Sequence, residues 1–125
     1  LRRILIVDDN PDVIGLFEAM LEEHYAIIKA CGGEECLLML EKERPDLVLL
    51  NIVMPDINGF AILKRMKQKE ELRSIPVIVH TAADLESEIR KRGIKNYIIK
   101  PVTKDELLSM VKKALQESLP FGGKI

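Results

Sequence analysis

Five short apolar runs most constrain this chain: ILIV at 4–7, AIIKA at 26–30, LVLLN at 47–51, VIVHT at 77–81 and YIIK at 97–100. All are rich in β-branched residues and mostly continuous, the pattern of strands covered on both faces. Between them the apolar period lengthens to that of a helix. Val13, Leu16, Phe17, Met20 and Leu21 form one stripe, and Leu108, Val111 and Leu115 form another after the last run. Shorter pairs, Leu37 with Leu40, Phe60 with Leu63 and Leu85 with Ile89, mark three further helices. Asn10-Pro11 supplies a cap and a first-turn proline, Pro45 follows the second helix, and Pro76 precedes the fourth strand. The pattern is (βα)5, which implies an α/β fold with a doubly wound parallel sheet and right-handed crossovers.

At 125 residues the chain fits one domain, since chains of this length bury roughly two thirds of their unfolded surface. The closing stretch LPFGGKI reads as a frayed end or the start of a linker, which sets the domain at 1–119 and a tail at 120–125. Within it, Gly122-Gly123-Lys124 lacks the spacing and following helix of a phosphate loop. A net charge of −1 gives no sign of a nucleic-acid backbone binder. No apolar run is long enough to span a bilayer and LRRILIVDD is no signal peptide, so the cytoplasm is the expected location. Cys31, Cys36, His24 and His80 offer no zinc spacing, and both cysteines are expected as reduced packing residues.

In open parallel sheets ligands bind beyond the carboxyl ends of the strands, where strand order reverses. Those ends carry Asp8-Asp9, Asn51, Thr81 and Lys100. Two carboxylates suit magnesium, a hard ion that takes oxygen ligands. An ammonium and a hydroxyl suit the oxygens of a transferring phosphoryl group. The missing group is an acceptor, a role that a carboxylate fills.

The segments ILIVDDN, PDLVLLNIVMPDINGF, PVIVHTAA and YIIKP, in this order, resemble the receiver domain of two-component response regulators over essentially the whole chain. The resemblance implies a flavodoxin-like sheet of order 2-1-3-4-5. It also implies a role in phosphorelay signalling opposite a histidine kinase or another signalling protein, and leaves room for an output domain beyond Ile125. It places magnesium on Asp9 directly, on Asp8 through water and on the Val53 backbone carbonyl. Thr81 and Lys100 fall on the phosphoryl-sensing positions, and Tyr97 on the aromatic switch position.

Two departures stand out. The family's phosphoacceptor aspartate falls on Asn51, whose amide is a poor acceptor. The resemblance, corrected for this, implies a pseudo-receiver: a non-enzymatic, phosphorylation-independent or phosphorylation-blocked interaction module with a weakened magnesium site, to which the Asn51 amide oxygen adds little. The alternative is an ordinary phosphoaccepting receiver carrying an engineered Asp-to-Asn substitution. A remote alternative is a small magnesium-dependent phosphohydrolase, disfavoured because the chain leaves no room for a substrate cap. The second departure is a shortened interval from Thr81 to Lys100, which falls on the fourth helix or its loops and alters the surface through which receivers commonly pair.

Packing roles compete with these assignments. Asp8-Asp9 also suits a helix N-terminus, Thr81 a β-branched strand position, and Tyr97 a half-buried packing site. His80 should point to the opposite face from Thr81 and is expected as a satisfied packing histidine. The basic runs LKRMKQK and RKR read as solvated faces or a partner surface.

Overall fold

A computed structural model describes residues 1–117; the expected tail at 120–125 lies outside the described residues. Five parallel strands, β1 (Arg3–Val7), β2 (Ala26–Ala30), β3 (Leu47–Asn51), β4 (Val77–Thr81) and β5 (Tyr97–Ile99), lie in the order β2-β1-β3-β4-β5. The crossovers carry α1 (Pro11–Leu21), α2 (Gly33–Glu43), α3 (Gly59–Gln68) and α4 (Glu86–Lys91), with α5 (Lys104–Glu117) after the last strand. A 3-10 turn, Ala83–Leu85, leads into α4. This is the expected flavodoxin-like (βα)5 arrangement.

The continuous apolar runs are explained by the two-sided cover. Ile4, Ile6, Leu47, Leu49, Ile78 and Ile98 pack with Phe17 of α1 and with Leu107 and Val111 of α5. Their strand neighbours Leu5, Val7, Val48 and Leu50 point the other way, onto Cys36 and Leu40 of α2 and Ile62 and Met66 of α3. A third cluster joins Ile52, Val79 and Ile89 under α4. Each fully buried Leu, Ile or Phe contributes about 1.5–3 kcal/mol.

The helix ends follow local chemistry. The Asn10 side chain accepts from the Asp12 backbone N–H at 2.9 Å, with Pro11 in the first turn of α1. The Asn58 side chain accepts from the Ala61 N–H at 3.0 Å and starts α3. Thr103 and Glu106 form a reciprocal box at α5: the Thr103 hydroxyl accepts at 3.1 Å and the Glu106 carboxylate at 3.0 Å.

Some expectations shift. On α1 the buried face is Ile14, Phe17 and Leu21, while Leu16 is exposed. On α5 Leu107, not Leu108, is fully buried. β5 ends at Ile99, one residue before the expected Lys100. Leu85 belongs to the 3-10 turn, leaving Ile89 alone as the buried anchor of the six-residue α4. Cys31 is exposed and so is not a packing residue; Cys36 is buried, and burial pushes its thiol up to about 12.

Candidate functional site

β1 and β3 are neighbours in space but not in sequence, so Asp8-Asp9 and Asn51 meet where the strand order turns back. Asp8 is almost fully buried. One of its oxygens accepts from the Asn10 backbone N–H at 2.9 Å; the other takes the Lys100 ammonium at 3.1 Å. Asp9 is exposed beside it.

Asn51 is also buried, and both groups facing its amide nitrogen are acceptors. Nδ2 donates to the Val53 backbone carbonyl at 2.7 Å and lies 3.4 Å from the Asp9 Oδ1. The loop after β3 is pinned here. Gly59 N–H donates to the Ile52 carbonyl at 2.8 Å, and a Cβ at Gly59 would meet the Asn51 carbonyl oxygen at 2.6 Å. Only glycine admits that approach of α3 to the strand end.

Thr81 ends β4 and is buried. Its neighbour His80, paired in register with Asn51, is fully buried with its ring edge-on to Phe17 at 4.9 Å. The expectation of a satisfied histidine is corrected: neither ring nitrogen makes a well-formed hydrogen bond, the Val7 and Leu49 backbone offering only weak partners, and Nδ1 lies 3.7 Å from the Asp8 carboxylate. Burial, reinforced by the Lys100 charge, pushes its pKa down to about 3, so it stays neutral.

Tyr97 sits apart from this cluster. Its hydroxyl donates to the Glu86 carboxylate at 2.9 Å and accepts from Arg90 Nε at 2.8 Å, both on α4. The structure therefore brings together Asp8, Asp9, Asn51, the Val53 carbonyl and Lys100, and leaves Tyr97 held by α4.

Sequence reasoning missed Asp56. Its carboxylate accepts from the Gly33 and Glu34 backbone N–H groups at 3.0 and 2.9 Å, capping α2 from the β3–α3 loop. The Glu34, Gly33 and Ile57 amides pull its pKa down to about 2. The signal was an acid inside the turn-rich MPDING, but its partners lie on a different crossover.

The sequence pattern of the response regulator receiver domain matches residues 4–112. The chain belongs to the response regulator receiver family. This receiver domain is 38% identical over 117 residues to protein PilH of Pseudomonas aeruginosa, covering 90% of this chain and 97% of that one. It is 41% identical to the solved N-terminal domain of a response regulator receiver protein from Methanoculleus marisnigri JR1, covering 92% of this chain and 97% of that one with a TM-score of 0.74. It also superimposes, at 26% identity and a TM-score of 0.82, on the receiver domain of sensor histidine kinase PA1611 from Pseudomonas aeruginosa PAO1. That pair covers 91% of this chain and 97% of the other, which has a magnesium ion coordinated in its active-site cleft.

Receiver domains are signalling modules that typically bind magnesium. Here the oxygen donors Asp8, Asp9 and the Val53 carbonyl suit that ion in kind. Among the described residues no three His, Cys, Asp or Glu side chains converge as a metal cluster. No helix among the described residues is long and apolar enough to cross a membrane.

Proposed function

We propose that this receiver domain works in two-component signalling as a protein-interaction module that does not accept a phosphoryl group at residue 51. The observation that carries the reading is the Asn51 amide nitrogen, 2.7 Å from the Val53 carbonyl and 3.4 Å from Asp9. It sets a fixed pair of N–H donors among the very oxygens that would hold magnesium. Lys100 satisfies Asp8 in the same way. Lys100 thereby offsets one of the two carboxylates and the Asn51 amide hydrogen-bonds the other, while the cluster lacks the nucleophilic carboxylate that acyl-phosphate chemistry needs.

Magnesium, when bound, would neutralise phosphoryl oxygens; Asp8, Asp9 and the Val53 carbonyl are the groups to hold it, weakly because one ligand charge is gone. Lys100 and Thr81 would orient an oxyanion, and Tyr97 would report the state of α4. The partner on this reading is a histidine kinase or another signalling protein.

A second reading, an ordinary receiver whose acceptor aspartate has been replaced, is favoured by the retention of Asp8, Asp9, Thr81 and Lys100 around residue 51. Intact mass after incubation with magnesium and a small-molecule phosphodonor, run beside Asn51→Asp, tests both. The expected result is no adduct on the Asn51 chain; an adduct there would overturn the proposal. An adduct on the aspartate variant would favour the second reading, and its absence the first.

A further inference from the structure

Phe60, Leu63, Lys64 and Lys67 follow i, i+3, i+4, i+7 and share one face of α3. This is not the buried face, which carries Ile62 and Met66. Together with Arg92 and Ile94 from the connection between α4 and β5, these four line an open groove of about 300 Å³. Its floor is apolar: Phe60, Leu63 and Ile94 are all half-buried. Its rim is cationic, and no carboxylate lines it.

The rim charges differ in how they are held. The Arg92 guanidinium stacks over the Phe60 ring, 3.8 Å from its centroid, while its Nε donates to Glu88 at 2.8 Å. Lys64 and Lys67 are exposed and have no ion-pair partner among the described residues. Lys91 and Lys95 add charge on either side of Arg92. In a chain of net charge −1 this is a local concentration of positive charge over an apolar floor. Phe60, Leu63 and Ile94 pack from one side against the Ile52, Val79 and Ile89 cluster and are left half-exposed on the other.

We infer that the groove between α3 and the α4–β5 connection docks an acidic peptide segment of a protein partner. An apolar side chain of that segment rests on Phe60 and Leu63, and its flanking carboxylates meet Lys64, Lys67 and Arg92. Charge complementarity selects an acidic occupant. The groove is a single pocket with one aromatic floor residue, too short to track a nucleic-acid backbone from base to base. None of its residues belongs to the strand-end cluster, so this docking stands whether or not residue 51 accepts phosphate.

The test uses the full chain and fluorescein-labelled peptides in which one Leu, Met or Phe is flanked by Asp and Glu, beside counterparts with the acids replaced by Asn and Gln. Fluorescence anisotropy at two ionic strengths gives affinity, and amide chemical shifts give the place. Acidic peptides are expected to bind more tightly than neutral ones, less so in high salt, with shifts at Phe60, Lys64, Lys67 and Ile94. Lys64→Glu with Lys67→Glu should weaken binding by about tenfold or more, while Lys113→Glu on α5 leaves it unchanged. Both lysines are exposed, and Arg92→Gln gives an independent variant on another element. Equal binding of neutral peptides, no binding of any acidic peptide, full affinity in the double variant, or shifts centred on Asp8 and Lys100 would overturn the assignment. So would tighter binding of single-stranded RNA or of phosphatidylglycerol vesicles.

Discussion

The Asn51 amide nitrogen donates to the Val53 backbone carbonyl at 2.7 Å, binding the end of β3 to the loop that follows it. A carboxylate at residue 51 would face that carbonyl and the Asp9 carboxylate without a proton to share. Two like charges about 4 Å apart repel by roughly 4 kcal/mol gross at an effective dielectric near 20. Asn51→Asp should therefore lower stability in chelator by about 1–3 kcal/mol net. Magnesium should restore more stability to the aspartate variant than to the asparagine form, because binding to the native state alone stabilises it. Thermal melts of both chains across a magnesium titration check this; equal dissociation constants would contradict it.

His80 carries two ring nitrogens in the core without a well-formed hydrogen bond, and a poorly satisfied buried polar group costs about 1–3 kcal/mol. His80→Leu should raise stability at pH 8 by about 1 kcal/mol after the lost ring contact with Phe17 is counted. The gap should widen in acid. The native histidine is held near 3 against an ordinary 6.5, so between those values the unfolded chain binds a proton that the folded chain does not. Wild-type stability then falls as pH drops below about 6.5, and the leucine variant escapes that loss. Urea midpoints at several pH values read both effects.

Gly59→Ala places a methyl 2.6 Å from the Asn51 carbonyl oxygen and 2.9 Å from the Ile52 Cα. Alanine's better helix propensity, about 1 kcal/mol, works in the opposite direction. Displacing backbone should outweigh it, for a net loss of about 1–2 kcal/mol. Chemical denaturation measures the loss, and unchanged stability would show that α3 can slide outward freely.

At α2 the prediction concerns charge. Asp56 holds its pKa near 2 against an ordinary 3.8 because the folded state donates backbone N–H groups to the carboxylate. Its contribution is therefore present above about 3.8 and lost as pH falls toward 2. Asp56→Asn should melt lower than wild type at neutral pH and converge with it in acid. A constant gap across that range would mean that hydrogen-bond geometry, not charge, carries the cap.

Removing the Tyr97 hydroxyl loosens the tie between β5 and α4. Tyr97→Phe loses the bonds to Glu86 and Arg90, leaving α4 anchored inward by Ile89. Amide exchange should quicken by about fivefold to tenfold across residues 86–91, an opening cost of about 1 kcal/mol, with α1 unaffected.

The sheet was readable in the sequence because strands covered on both faces need continuous apolar runs, and few other elements do. Helix facing was less so. In α1 both Ile14 and Leu16 are apolar, and only packing against Ile4 and Ile6 decides that Ile14 goes inward. The polar cluster was legible in Asp8, Asn51 and Lys100 because each interrupts or ends an apolar run. Which atom of the Asn51 amide faces Val53 depends on the acceptors around it, and those come from another strand and a loop. The Asp56 cap and the poorly partnered His80 ring were hidden for the same reason: both are properties of neighbours distant along the chain.

The Lys100 to Asp8 pair joins residues 92 positions apart. Closing so long a loop is entropically slow, and the contact gains its strength only once β3 and β4 lie between β1 and β5. The last strand tip thus completes the first one. A chain interrupted before β5 would lack the Lys100 counter-charge for Asp8, along with Ile98, Leu107 and Val111 of the core. The buried Asp8 carboxylate therefore meets its counter-charge only in a chain that has been made and folded through residue 100.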